Sequence, residues 1–165
     1  VMRSKKIIVI AHCCLNQNAV LPAWERARGA YPFMEVLVQK GYGILQLPCP
    51  ETLALGICRP PMNYDDYNTT EHRKLCERLC DIPVQMIRRH HEAGDTLVGM
   101  IGIQDSPNCA ISGRRGVFME ILLEQLEKVS LPLPRIEVPV EYSEGKPEVQ
   151  TAFLHELDQW IKEND

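Results

Sequence analysis

Three short apolar runs, each followed within a few residues by a cysteine, dominate the hydrophobic pattern of the chain. The runs occupy residues 6–12, 42–48 and 96–103. Short, mostly apolar runs that end at glycine or proline are typical of buried parallel strands. The cysteines that follow them are Cys13, Cys49 and Cys109. The pattern therefore predicts three strands that each deliver a cysteine at the carboxyl end.

Helical periodicity fills the segments between and after these runs. The predicted helices cover residues 32–39, 68–94, 117–129 and 149–161. Asn68 is the expected N-cap of the second helix, which Pro83 should kink or split. The predicted buried face of that helix comprises Leu75, Leu79, Ile82, Met86 and Ile87. A fourth strand is predicted over residues 136–141, and residues 52–62 are interpreted as an irregular wall of a site.

Strands that alternate with helices indicate an α/β fold with a parallel sheet and helices on both faces. We expect one three-layer Rossmann-like or flavodoxin-like domain over residues 1–165, with four strands or slightly more. A strand order of 2-1-3-4 or of 3-2-1-4 keeps the three cysteine-bearing strands adjacent. Neighbouring strands lie about 4.8 Å apart, and ligands bind at the carboxyl edge of such sheets. Cys13, Cys49 and Cys109 should therefore meet in one site.

Composition narrows the class of protein. The chain has 165 residues, 45% of them apolar, and a formal net charge of −4 without a basic stripe, so no nucleic-acid partner is expected. No stretch approaches the roughly 20 apolar residues of a membrane span, and we expect a cytoplasmic protein without a membrane partner. Seven cysteines are an odd count. They favour metal or cluster ligation, or a reactive thiol, over a disulfide framework.

The individual cysteines differ in what their surroundings predict. A single free cysteine is most often a small buried hydrophobe, but three at equivalent strand ends favour a site. Three thiolates without a fourth ligand indicate a metal centre that keeps one position open. Cys14 follows Cys13 directly, so only one of the two should face the site. Core packing is expected for Cys76 and Cys80 on the second helix, and Cys58 lies in the segment near the site.

Other residues near the strand ends also carry candidate chemistry. Glu51 is a candidate general acid or base beside a metal centre, or else an N-cap or a solvated loop acid. Ser106 lies among turn-forming residues without a Gly-x-Ser-x-Gly motif, which argues against a serine hydrolase. His12 is expected in the core or behind the ligands. The other histidines are expected at the surface, and they are His72, His90, His91 and His155.

Three segments of the chain form a recognisable motif set. They are His12-Cys13-Cys14-Leu15-Asn16-Gln17-Asn18, then Cys49-Pro50-Glu51 with Gly56-Ile57-Cys58-Arg59-Pro60-Pro61, and Gly102-Ile103-Gln104-Asp105-Ser106-Pro107-Asn108-Cys109. Together they resemble the thiouracil desulfidase family over about residues 6 to 113. That family commonly has Cys-Leu-Leu-Gly where this chain has Cys13-Cys14-Leu15-Asn16, and often has glycine in place of Ala110. The chain resembles a divergent branch whose substrate these motifs do not define.

The resemblance implies a Rossmann-like or flavodoxin-like domain that holds a [4Fe-4S] cluster by Cys13, Cys49 and Cys109. It also implies that the fourth iron binds the sulfur of a small thiocarbonyl substrate. Glu51 would then act as acid or base, and Ser106 would orient the substrate. The implied reaction replaces C=S by C=O at the expense of water, without electron transfer.

Two other classes of function fit the same residues. An iron-sulfur or zinc binding protein without catalysis, such as a sulfur carrier or sensor, would leave Glu51 and Ser106 dispensable. A metal-free thiol enzyme would use Cys13 or Cys109 as its nucleophile, with His12 nearby.

Overall fold

The four strands form one parallel sheet. The computed structural model describes residues 1–165. The strands are β1 (Lys6–Ile10), β2 (Gly43–Gln46), β3 (Thr96–Ile103) and β4 (Arg135–Val138). Their order in the sheet is β2-β1-β3-β4, and all three pairings are parallel. β1 therefore lies between the other two strands that precede cysteines, as in the first of the two expected orders.

Six helices connect and cover the strands. They are α1 (Phe33–Gln39), α2 (Pro50–Leu55), α3 (Tyr64–Tyr67), α4 (Thr70–Glu92), α5 (Val117–Lys128) and α6 (Pro147–Asn164). None of them is both long enough and apolar enough to cross a membrane.

Alternating side chains of the central strand divide the core into two halves. Ile7 and Val9 pack with residues of α4 and α5, whereas Ile8 and Ile10 pack with residues of α1 and α6. Each half contains 19 buried residues. The architecture is a three-layer α/β fold of the Rossmann-like kind, and its strand order is the one that flavodoxin-like domains use.

The short helix α2 corrects one expectation about the segment after β2. The first four of residues 52–62 were expected to be irregular, but they continue a helix that begins at Pro50. Pro50 lies at the start of this helix, where proline costs no hydrogen bond and its fixed φ suits the helix, and Cys49 is the N-cap. The proline that appeared to end a strand therefore also begins a helix.

The long helix α4 differs from its prediction at its start and on its buried face. Its N-cap is Thr69 rather than Asn68, and Pro83 lies inside a helix that is not split there. Of the predicted buried face, Ile87 is buried and Leu79 packs against the core, but Ile82 and Met86 are exposed. The observed face is rotated toward the sheet and comprises His72, Cys76, Cys80, Pro83, Val84 and Ile87.

Candidate functional site

A cavity of about 250 Å³ opens where β1, β2 and β3 end. The end of β1 is paired on both sides, because Ile10 lies opposite Gln46 of β2 and Ile101 of β3. The loops that follow the three strands therefore surround one space. The cavity lining includes all five residues singled out in the sequence, namely Cys13, Cys49, Glu51, Ser106 and Cys109.

A tight turn after β1 separates the two adjacent cysteines. Residues His12–Cys14 form one turn of 3-10 helix, in which Cys13 lines the cavity and Cys14 is completely buried in the core beside α1 and α6. Only one of the pair faces the site, as expected. Gln17, itself buried, donates from Nε2 to the Cys13 carbonyl oxygen at 2.9 Å and thereby anchors the turn.

The other two cavity cysteines are positioned by local hydrogen bonds. The Cys49 sulfur accepts a hydrogen bond from the Thr52 backbone N–H at 3.4 Å, as the N-cap of α2. The Ser106 hydroxyl oxygen accepts the Cys109 backbone N–H at 3.0 Å and that of Asn108 at 3.3 Å. Ser106 therefore shapes the loop that carries Cys109, and its hydroxyl hydrogen remains available to a ligand.

The cavity thiols influence one another electrostatically. Burial, and then the neighbouring Cys49, raise the pKa of Cys13 to about 12, although the Arg26 guanidinium opposes this. Burial, and then Cys13 and Cys49, raise the pKa of Cys109 well above its ordinary value. Without a bound cation Cys13 and Cys109 stay protonated at neutral pH and are poor nucleophiles. A metal that replaces the protons would remove this penalty.

Glu51 is held at both carboxylate oxygens. Arg59 donates from Nε to Oε1 at 3.1 Å, and Asn108 donates from Nδ2 to Oε2 at 3.0 Å. The side chains of Glu51 and Arg59 are only 13% and 4% exposed, so the ion pair is buried. Neither the N-cap nor the solvated-acid alternative is correct, because Cys49 caps α2 and Glu51 faces the cavity.

Three residues of the hydrogen-bond network around Glu51 were not assigned roles from the sequence, namely Arg59, Asn108 and His72. Arg59 also donates to the Ala19 carbonyl at 2.9 Å and to the Gly56 carbonyl at 3.1 Å, and so connects α2 to the loop after β1. His72 was expected at the surface, but it is buried and its Nε2 lies 2.7 Å from Asn108 Oδ1. Helical periodicity contained a signal for His72, since Cys76 and Cys80 follow it at intervals of four residues.

His12 lies between the cavity and the end of β2. Its Nδ1 is 3.0 Å from the Leu47 carbonyl oxygen, which can only accept, so Nδ1 carries the hydrogen. The ring also lines the cavity. His12 is partly buried, so it does not lie in the core as one of the two expectations had it.

The chemistry of the donor set fits a metal or an iron-sulfur cluster. Cys13, Cys49 and Cys109 all line the cavity. Soft thiolates are the usual ligands of zinc and of iron-sulfur clusters, and in a cluster each cysteine binds a different iron.

Fold and site together define a class, namely Rossmann-like α/β proteins with three thiols, an ion-paired carboxylate and a hydroxyl group at one cavity. The chain belongs to the same family as the uncharacterized protein MJ0003 of Methanocaldococcus jannaschii. The two are 35% identical over 162 residues, which cover 98% of this chain and 100% of MJ0003. No family model matches the chain, and no solved structure matches it.

Proposed function

We propose that this protein is a [4Fe-4S]-dependent desulfidase that removes sulfur from a small thiocarbonyl compound. The observation that carries the proposal is the convergence of Cys13, Cys49 and Cys109 on one cavity that Glu51 and Ser106 also line. Three thiols leave a cluster with one iron free of protein ligands, and the carboxylate adds acid-base chemistry beside it. The motif resemblance to thiouracil desulfidases points to the same chemistry.

Cys13, Cys49 and Cys109 are the residues that would hold the cluster. When bound, the cluster supplies a Lewis-acidic iron that attracts the sulfur of the substrate. The protein contributes a cavity whose wall is partly apolar, although Trp24 and Val140 in this wall are exposed to solvent. This wall includes Val20, Leu21, Trp24, Pro61, Met62 and Val140.

The reaction balances without an oxidant or a reductant. The oxygen of one water molecule forms a bond to the thiocarbonyl carbon, the C–S bond breaks, and both hydrogens of the water leave with sulfur as hydrogen sulfide. Glu51 accepts a proton from the attacking water, since each of its oxygens accepts one hydrogen bond in the ion-paired network and keeps a further lone pair. The Ser106 hydroxyl hydrogen donates to a polar atom of the substrate and so orients it.

The two competing classes of function account for fewer of these features. A carrier or sensor has no use for a carboxylate that Arg59 and Asn108 hold at the cavity. A metal-free thiol enzyme needs a thiolate at neutral pH, whereas burial raises the pKa of both Cys13 and Cys109.

The first test is the iron and acid-labile sulfide content of protein reconstituted without oxygen. We expect about four irons and four sulfides per chain, with visible absorption, in the wild type. Cys49→Ala should lose the intact cluster and the activity. Cys58→Ala is the matched control, because Cys58 is exposed and does not line the cavity. Iron retained in full by Cys49→Ala would contradict the assignment of the ligands.

Glu51→Gln separates catalysis from cluster binding. Glutamine still accepts hydrogen bonds from Arg59 but is a far weaker base, so the variant should keep its iron and lose about 100-fold or more in kcat. Sulfide release from thiouracil and related thioamides measures the rate. A variant that desulfurises as fast as the wild type would favour a role without acid-base catalysis by Glu51.

A further inference from the structure

Glu51 is the end of a buried chain of hydrogen bonds that begins on α4. His72 Nε2 lies 2.7 Å from Asn108 Oδ1, and Asn108 Nδ2 lies 3.0 Å from Glu51 Oε2. His72 is 7% exposed and Asn108 is completely buried. His72 and Asn108 are 36 residues apart in the sequence, and Asn108 and Glu51 are 57 residues apart. The two hydrogen bonds therefore join three separate parts of the fold.

The donors and acceptors in this chain have only one consistent arrangement. The Glu51 carboxylate accepts hydrogen bonds, so Asn108 must present its amide N–H group to it. The Asn108 carbonyl oxygen then faces His72, and the imidazole must carry a hydrogen on Nε2. Without the His72 donor the Asn108 amide keeps its hydrogen bond to Glu51 but loses the partner of its Oδ1, so it is held from one side only.

Other contacts of the protein fix His72 and Asn108 in place. The His72 backbone N–H donates to the Thr69 hydroxyl at 3.1 Å, and its ring packs against Tyr67 at 4.9 Å between ring centroids. The backbone carbonyl oxygen of Asn108 accepts the Met119 backbone N–H of α5 at 2.9 Å. The Glu51 carboxylate is therefore oriented from α4 and α5, and not only by Arg59.

We propose that His72 and Asn108 are positioning residues that fix the orientation of the Glu51 carboxylate toward the water that replaces sulfur. This inference rests on the proposed desulfidase function. Neither residue touches the substrate in this role, since His72 does not line the cavity and the Asn108 amide is used by Glu51. A purely structural bridge between helices would affect stability, but it would not affect turnover in a protein that is folded and loaded with its cluster.

The test compares two replacements of His72 with a replacement of an exposed histidine on the same helix. His72→Leu removes the donor, and we expect kcat to fall about 10- to 100-fold while KM and iron content stay within about twofold. His72→Gln restores an N–H donor to Asn108 and should recover kcat to within about threefold of the wild type. His91→Leu is the control and should leave all three quantities unchanged. Equal rates in His72→Leu and wild type, or equal losses in His72→Leu and His72→Gln, would overturn the proposal.

A second measurement does not depend on turnover. Long-range correlation of hydrogen and nitrogen-15 nuclei in labelled histidine rings reports which ring nitrogen carries a hydrogen, and the His72→Gln spectrum identifies the His72 signals. We expect a hydrogen on Nε2 of His72 at neutral pH. An Nε2 without hydrogen would overturn the inference, even if the protein is an active desulfidase. Conversely, an Nε2-bound hydrogen in a cluster-loaded protein that releases no sulfide would leave this chain of hydrogen bonds supported and overturn the proposed function.

Discussion

The Glu51–Arg59 pair is the most consequential interaction at the scale of single residues. Both side chains are largely withdrawn from water, and Arg59 also satisfies two backbone carbonyl groups. A buried ion pair gains little net stability, but loss of one partner leaves an uncompensated buried charge. The site therefore depends on Arg59, although the guanidinium group contacts other protein groups and has no role in the proposed chemistry.

Arg59→Met should lower the free energy of unfolding by about 3–5 kcal/mol, because Glu51 then remains buried without its counter-charge. Arg28→Met is the control, since Arg28 pairs with Glu144 and is 94% exposed. The control should change the same free energy by less than about 1 kcal/mol. Urea unfolding followed by circular dichroism measures both, and comparable losses in the two variants would show that the Glu51–Arg59 pair is not effectively buried.

At the scale of elements, the site depends on how closely α5 approaches the loop that carries Cys109. Gly116 is the N-cap of α5, and a Cβ atom there would lie 2.2 Å from the carbonyl carbon of Asn108. No atom other than hydrogen fits at this position unless the helix or the loop moves. Because Asn108 contacts Glu51 and precedes Cys109, such a movement would reach the candidate ligand and the candidate base together.

Gly116→Ala should therefore destabilise the protein by about 1–3 kcal/mol and also reduce the iron bound after reconstitution. Gly145→Ala is a matched control, since the nearest atom to a Cβ there is 3.9 Å away. Thermal unfolding and iron content are the measurements. Full iron content in a destabilised Gly116→Ala would mean that the Cys109 loop keeps its place when α5 shifts.

Elements with strong local patterns could be predicted from the sequence, and contacts between distant residues could not. β3 has its predicted bounds because a continuous apolar run ends at turn-forming residues. α2 was missed because the same proline that ends an extended segment also suits the first turn of a helix. The convergence of the cysteines followed from topology, whereas the contact of His72 with Asn108 depends on how α4 is rotated against the sheet, which apolar periodicity assigned correctly only in part.

At the scale of the whole molecule, an ion pair connects α6 to the end of α1 on the same side of the sheet. Lys40, just after α1, donates from Nζ to Asp158 Oδ1 at 2.6 Å, and this hydrogen bond holds the pKa of Asp158 below its ordinary value. A lowered pKa in the folded state means that the ionised form stabilises the fold. This stabilisation is complete above the unfolded pKa of about 3.9 and disappears as the pH falls through the lower folded value.

Asp158→Asn should therefore lower the free energy of unfolding at pH 6 by no more than about 1 kcal/mol, because both partners are partly exposed. The difference from the wild type should shrink as the pH falls below about 4, where the unfolded wild type takes up the proton, and should disappear at the lower pH where the folded wild type takes it up. Glu156→Gln on the same helix, a carboxylate without an ion pair, is the control. The measurement is the urea midpoint of the wild type and of both variants at several pH values. A difference between Asp158→Asn and the wild type that grows at acid pH would contradict a lowered pKa of Asp158 in the folded state.

The seven thiols of the chain also divide into three groups by solvent access. Cys58 is exposed, Cys13, Cys49 and Cys109 line the cavity, and Cys14, Cys76 and Cys80 are completely enclosed in the core. In cluster-free protein an alkylating reagent would meet these groups at three different rates. Collision would limit the alkylation of the exposed thiol, opening of the cavity that of the cavity thiols, and global unfolding that of the core thiols. The three rates would therefore report how much of the molecule is open.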